Sequence, residues 1–337
     1  MFDSPKKSNL KNKPEIMRIP KNTILILLTL LITSFNNSFA TQKGEVATNQ
    51  KQPVALADPF IMLHENTYYA YGTNDKDGIA VYTSDDLVNW QKQSALALHK
   101  DDSWGDRWFW APEVYYIPQE KKFYMYYSVD EHISVATSDS PAGPFRQDIQ
   151  KPIIEDEKCI DNSLFIDDDG KAYLSFVRFT DGNNIWVAEM ESDLKTMKKE
   201  TMKPCIHVTE AWENELGRVT EGSFIVKHKG IYYMIYSAND YQSPNYGVGY
   251  ATASSPMEAW VKYDKNPVFQ KPDDLVGVGH SAIFKDKEGK LRMVFHAHHD
   301  KENIHPRLMY ITDVSFSDDE QPIMNIGGNI IATQQVK

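Results

Sequence analysis

Cysteine is nearly absent. Among 337 residues only Cys159 and Cys205 carry thiols. Two cysteines build no disulfide framework, and these are too far apart in sequence for a metal knuckle. Two readings stay open for them: one disulfide in an exported protein, or two unpaired buried thiols. Basic charge is also scarce, with 36 Lys and Arg against 47 Asp and Glu and a net charge of −11. No basic patch is available to displace counterions from a phosphate backbone, so nucleic acid is excluded as a partner. Long apolar runs are missing, except "TILILLTLLITSF" at 23–35, which is short for a membrane span. A sustained helical period is missing too. What the chain does have is aromatic residues, at 12% with 18 Tyr and 7 Trp, suited to core packing and to stacking on sugar rings.

The apolar run follows Lys21 and ends near the small residues of "NNSFA" at Ala40. A basic start, a short apolar stretch and small residues form a secretory leader, so the chain is expected to be exported, periplasmic or secreted. Met17 opens a leader of more ordinary length than Met1 does. No Cys follows the cleavage point, which argues against a lipid anchor, and no membrane contact is expected once the leader is gone. The expected boundaries are 1–40 for the extension and leader, 41–52 for a linker and 53–337 for one folded domain. Nothing here fixes an oligomeric state.

Five segments of that domain share one plan: "DPFIMLHENTYYAYGT" from Asp58, "PEVYYIPQEKKFYMYYS" from Pro112, "DNSLFIDDDGKAYLSFV" from Asp161, "EGSFIVKHKGIYYMIYS" from Glu221 and "HSAIFKDKEGKLRMVFHA" from His280. Each is a short apolar run, a polar turn and a second β-rich run, which is a hairpin by its turn chemistry. A third strand-like run follows each hairpin, and a fourth fits in the residues that remain. Four antiparallel strands recurring five times, at roughly 50-residue spacing, predict an all-β, five-bladed β-propeller. "DDDGK" begins like a calcium loop but lacks the later Glu, and it occupies the hairpin-turn slot of its unit.

First strands of propeller blades line the axis. The phase of the repeat therefore brings Asp58, Glu113, Asp161, Glu221 and His280 to one mouth. Crowded carboxyls raise each other's pKa, which is costly unless the site binds metal or moves protons. Glycoside cleavage needs a protonated acid and a carboxylate on the opposite sugar face, and a third acid can tune the first. Phe109 and Trp110 lie in the mouth-facing phase and are expected to form a sugar platform. Trp104 and Trp108 are expected at the rim, while Phe224 reads equally as core or site. In "HAHH" at 296–299, one histidine is expected to face the channel and the others to pack or reach solvent.

With those residues in place, "ADPF" (57–60), "FWAPEV" (109–114), "IDNSLF" (160–165), "TEGSF" (220–224) and "GHSAIF" (279–284) resemble the five landmark segments of family 43 glycoside hydrolases, in order and over about residues 53–320. The resemblance implies inverting hydrolysis of arabinose- or xylose-containing plant polysaccharides or oligosaccharides. It makes Asp58 the general base, Glu221 the general acid and Asp161 the group that tunes and orients the acid. Glu113 becomes structural or a weak substrate contact. Arg307 in "HPRLMYI" falls where an arginine approaches substrate. His280 matches a histidine linked to a metal ion or water, so the resemblance requires no cofactor but admits Ca2+ or another ion in the central channel. No β-sandwich follows the propeller, which on the resemblance favours an α-L-arabinofuranosidase over a β-xylosidase. The alternatives from the same residues are a carbohydrate-binding propeller without turnover, or an endo-acting or galactan-active relative.

Overall fold

The computed structural model describes residues 52–336. The segments expected as leader and linker, through residue 51, lie outside the described residues. Five antiparallel sheets follow one another, and helix among the described residues is limited to single turns such as Ala211–Glu213.

Blade I is built from Ala57–His64, Thr67–Thr73, Val81–Ser84 and Asn89–Lys92. Blade II has Trp110–Ile117, Lys122–Val129 and His132–Ser138. Blade III has Cys159–Ile166, Ala172–Phe179, Asn183–Glu189 and Lys203–Ile206. Blade IV has Thr220–His228, Ile231–Ala238, Gly247–Ala253 and Val261–Lys262, and blade V has Gly279–Lys285, Leu291–Ala297, Leu308–Phe316 and Met324–Ile326. The expected five-bladed propeller is therefore present, with one departure. Blade II has no fourth strand, only a single bridge between Thr137 and Arg146. The segment entering that slot carries Pro141 and Pro144, which have no N–H to give to a ladder.

Apolar residues gather in the joints between blades. One cluster joins blades I, II and V, and others lie between II and III, III and IV, and IV and V. Each sheet is thus buried on both faces, as inner strands such as Trp110–Ile117 require. The ring closes where Ala57–His64 meets Gly279–Lys285, and where the Met309 amide donates to the Val54 carbonyl at 3.0 Å. Gln334–Val336 then runs parallel to Asn89–Lys92 and takes Gln52–Pro53 on its other edge. Both cysteines are free, Cys159 buried and Cys205 partly so.

Candidate active site

Every inner strand breaks register at the same point. The breaks fall between Ala57 and Phe60, Trp110 and Glu113, Ile160 and Ser163, Glu221 and Phe224, and Gly279 and Ala282. Such a bulge re-aims side chains at a sheet end. Its first residue is left-handed each time: Asp58 (φ 48°), Ala111 (43°), Asp161 (56°), Gly222 (55°) and His280 (46°). For the four residues with a Cβ this costs about 1–3 kcal/mol each, so the surroundings must hold them there.

The preceding blade supplies the hold. The Asp58 amide donates to His296 Nδ1 at 3.1 Å, the Ala111 amide to Thr73 Oγ1 at 3.0 Å, the Asp161 amide to Ser128 Oγ at 3.0 Å and the His280 amide to Ser237 Oγ at 2.7 Å. All four acceptors face the residue just before their own blade's bulge. In blade III that place belongs to Val177, which cannot accept, and the Gly222 amide bonds the Asp161 carboxyl instead.

This pattern corrects the phase read from sequence. Asp58, Asp161 and His280 are equivalent, whereas Glu221 stands one residue before its bulge and Glu113 one residue after its own. Asp58, Asp161, Glu221 and His280 still converge on one cleft, a cavity of about 930 Å³ also lined by Trp110, Asn183 and Arg307. Glu113 turns below it. It is buried, accepts from the Tyr115 hydroxyl, and lines a separate small cavity under the cleft. Burial pushes its carboxyl up to about 8, despite hydrogen bonds from Tyr115, Ser163 and the Leu164 amide.

The three cleft acids sit in opposed environments. Burial disfavours charge on Asp58, but the Arg307 cation, helped by a side-chain hydrogen bond from Thr73, outweighs burial and holds the group well below the usual carboxylate range. Arg307 donates from Nη1 to Oδ1 at 2.7 Å and from Nη2 to Oδ2 at 3.3 Å, and its guanidinium lies 4.6 Å from the Tyr241 ring centre. Asp161 is pushed well above the usual range by burial and by repulsion from Glu221 and Asp58. Burial also raises Glu221, although Asn183 and Tyr246 hydrogen-bond its oxygens. Asp58 is therefore the fixed anion, and the Asp161–Glu221 pair is the part that retains a proton. Burial, together with the Arg307 cation, lowers both His280 and His296, and so keeps these imidazoles neutral.

The aromatic expectations divide. Trp110 lines the cleft and stacks on Trp108 (centroids 5.8 Å apart, planes at 14°), and Trp108 is 45% exposed beside it. Phe109 is not a platform: it is buried in the joint of blades I, II and V and stacks on Tyr127. A chain rising through a strand alternates its faces, so Phe109 and Trp110 cannot both look into the mouth. Phe224 lies past the bulge and packs on Phe60 and the core, away from the cleft. Trp104 packs on His132 and the same joint, not at the rim. Arg307 does line the cleft, but its amino groups are engaged by Asp58. Two of the "HAHH" histidines are buried at work: His296 against Asp58, and His298 bonded to the Tyr241 carbonyl at 2.8 Å.

A metal at His280 fits these residues poorly. His280 Nδ1 lies 3.4 Å from Asp58 and 3.9 Å from Asp161. The cavity beneath is about 10 Å³ and offers Glu113, Asn162 and Ser281, with the Asn162 amide and Ser281 hydroxyl unpartnered. Ca2+ takes six or more oxygens, several of them from carboxylates, and Glu113 is held protonated. Among the described residues no group of three His, Cys, Asp or Glu is placed for a metal ion.

Reading from sequence missed Tyr246, Asn183 and the Thr73–Ser128–Ser237 set. The last had a signal, since "YGT", "YYS" and "IYS" fall at or one residue before the ends of equivalent second strands. Tyr246 precedes a third strand in a loop, where no repeat marks it.

Neighbouring carboxyls held in opposite protonation states are an arrangement suited to acid–base chemistry. Residues 50–322 match the family model "Glycosyl hydrolases family 43", and the chain belongs to that family, a hydrolase of O-glycosyl bonds. A Bacteroides thetaiotaomicron structure described as an endo-1,4-beta-xylanase is 49% identical, with a TM-score of 0.83 over 86% of this chain and 100% of that one. A beta-D-galactofuranosidase of Aspergillus niger is 25% identical over 81% of this chain and 82% of its own. Xylosidase/arabinosidase 43A of Humicola insolens is 28% identical over 71% of this chain and 96% of its own.

Proposed function

We propose that the protein cleaves xylose- or arabinose-containing plant glycans with inversion, releasing α-L-arabinofuranosyl or β-D-xylosyl units. One observation carries the assignment of roles: neighbouring carboxyls whose environments push their proton affinities apart. Asp58, kept ionised by Arg307, takes a proton from water as that water attacks the anomeric carbon. Glu221 gives its proton to the departing oxygen. Asp161 keeps that proton on Glu221 by repulsion once its own charge is formed. An inverting pair stands about 6.5–9.5 Å apart, leaving room for the water. Trp110 offers its ring to the sugar, and His280 positions Asp58. Both proton transfers use side chains, so the reading calls for no cofactor. The leader at residues 1–40 supports action outside the cytoplasm.

A second reading, internal cleavage of xylan, is favoured by the 49%-identical structure described as an endo-1,4-beta-xylanase and by a cleft that continues to Lys92 and His305. The test is hydrolysis of aryl α-L-arabinofuranoside, aryl β-D-xyloside and xylo- and arabino-oligosaccharides by wild type and Glu221→Gln. Wild type should cleave at least one, and the variant should lose about 10²–10⁴ in kcat. Internal cuts in xylohexaose would select the second reading. Full activity of Glu221→Gln would remove the acid assignment.

A further inference from the structure

Glu221 reaches the cleft with both carboxyl oxygens already engaged. Asn183 Nδ2, on the cleft wall, donates to Oε2 at 3.1 Å. The Tyr246 hydroxyl, fully buried, donates to Oε1 at 2.9 Å. Tyr246 is itself tightly placed. Its amide donates to the Ser243 carbonyl at 3.0 Å, and its ring lies parallel to the His296 imidazole, with centroids 5.8 Å apart and planes at 9°. Gly279 makes room for that ring: a Cβ there would fall 2.3 Å from Tyr246 Cε1. His296 in turn accepts the Asp58 amide. A buried chain of contacts therefore runs from one acid, through a phenol and an imidazole, to the backbone of the other.

We propose that Tyr246 is the positioning residue of the proton donor: its hydroxyl occupies Oε1 of Glu221, so that Oε2, on the Asn183 side, carries the proton to the leaving oxygen. This rests on Glu221 being the general acid. The phenol suits the task. It has one proton to give, and burial beside Glu221, Asp58 and Asp161 keeps that proton in place. Stacked on His296, it cannot swing away without dislodging the group that holds the Asp58 amide. Donor and base thus share one support, which fixes the spacing that in-line displacement needs.

Leaving-group dependence tests this. Phenyl glycosides need a proton at departure and 2,4-dinitrophenyl glycosides do not, so the two are compared on the glycone the enzyme accepts. Tyr246→Phe keeps the ring stack and should lower kcat about tenfold or more on the phenyl substrate, with less than about a threefold change on the dinitrophenyl one. KM should be unchanged. Its alkaline pH limb should move upward, because a hydrogen bond to the charged carboxylate has gone. Equal losses on both substrates, or none, would overturn the proposal. Glu221→Gln run alongside separates the two levels: if it too loses both substrates equally, the acid assignment fails; if it spares only the dinitrophenyl substrate, that assignment stands and Tyr246 is judged alone. Thermal unfolding checks the fold of each variant. Should Tyr246→Phe not fold, Asn183→Ala at the cleft wall must show the same selectivity for the phenyl substrate, and equal losses there would equally sink the idea.

Discussion

Arg307 does something at the residue scale that its position in "HPRLMYI" did not announce. It was expected near substrate, yet its amino groups hold Asp58. Removing the guanidinium leaves burial to act on Asp58 with only two neutral imidazoles nearby, and burial raises a carboxyl. Arg307→Ala should therefore shift the acid limb of the kcat/KM profile to higher pH, with a drop of at least tenfold at acidic pH. Rate profiles over the working range of the enzyme check this, and an unmoved acid limb would mean that Arg307 does not set the charge of Asp58. That Asp58, Asp161 and Glu221 meet in one cleft was legible because acids recur near the starts of inner strands. The partners that tune them were not, since Arg307, Asn183 and Tyr246 lie far off in sequence and meet the acids only through blade packing.

The inner-strand bulge is the element-scale device. Five copies of one distortion turn a bundle of hairpins into a ring with a floor of converging side chains. Ser128 and Ser237 each accept the amide of a strained residue in the next blade. Replacing either with Ala strands a buried N–H, so Ser128→Ala and Ser237→Ala should each cost about 1–3 kcal/mol, read by urea unfolding. A change below about 0.5 kcal/mol would show the grip to be dispensable. The propeller itself was readable from turn chemistry spaced at a constant interval. The bulge was not, because one extra residue on the inner strand leaves a recognisable apolar run on either side of it. That is why Glu113 was placed level with Asp58 although it falls below the cleft. The fourth strand of blade II failed for a simpler reason: Pro141 and Pro144 were visible, but their cost to the ladder was outweighed by the repeat.

At the scale of the whole molecule, the buried acids make stability depend on pH. Glu113 is raised to about 8, so between the ordinary carboxyl value and that point the folded chain holds a proton that the unfolded chain has released. Its contribution therefore falls as pH rises through that window, by up to about 1.4 kcal/mol per unit. Asp58, lowered by its partners, acts in the opposite sense: its contribution is present above the ordinary carboxyl range and is lost as pH falls through the lowered value. Glu113→Gln should flatten the slope of unfolding free energy between pH 5 and 8, measured with denaturant, and an unchanged slope would assign it to the cleft pair instead. The joint between blades III and IV has a further consequence. Four joints are fastened by side chains that take no part in chemistry or only support it, but where Val177 stands the fastening falls to Asp161. That carboxyl is at once a latch of the ring and half of the proton-holding pair in the cleft. On the proposed reading, reaction and fold bear on the same two oxygen atoms there, so a change at Asp161 disturbs a joint and the cleft together, whereas a change at Ser128 or Ser237 disturbs a joint alone.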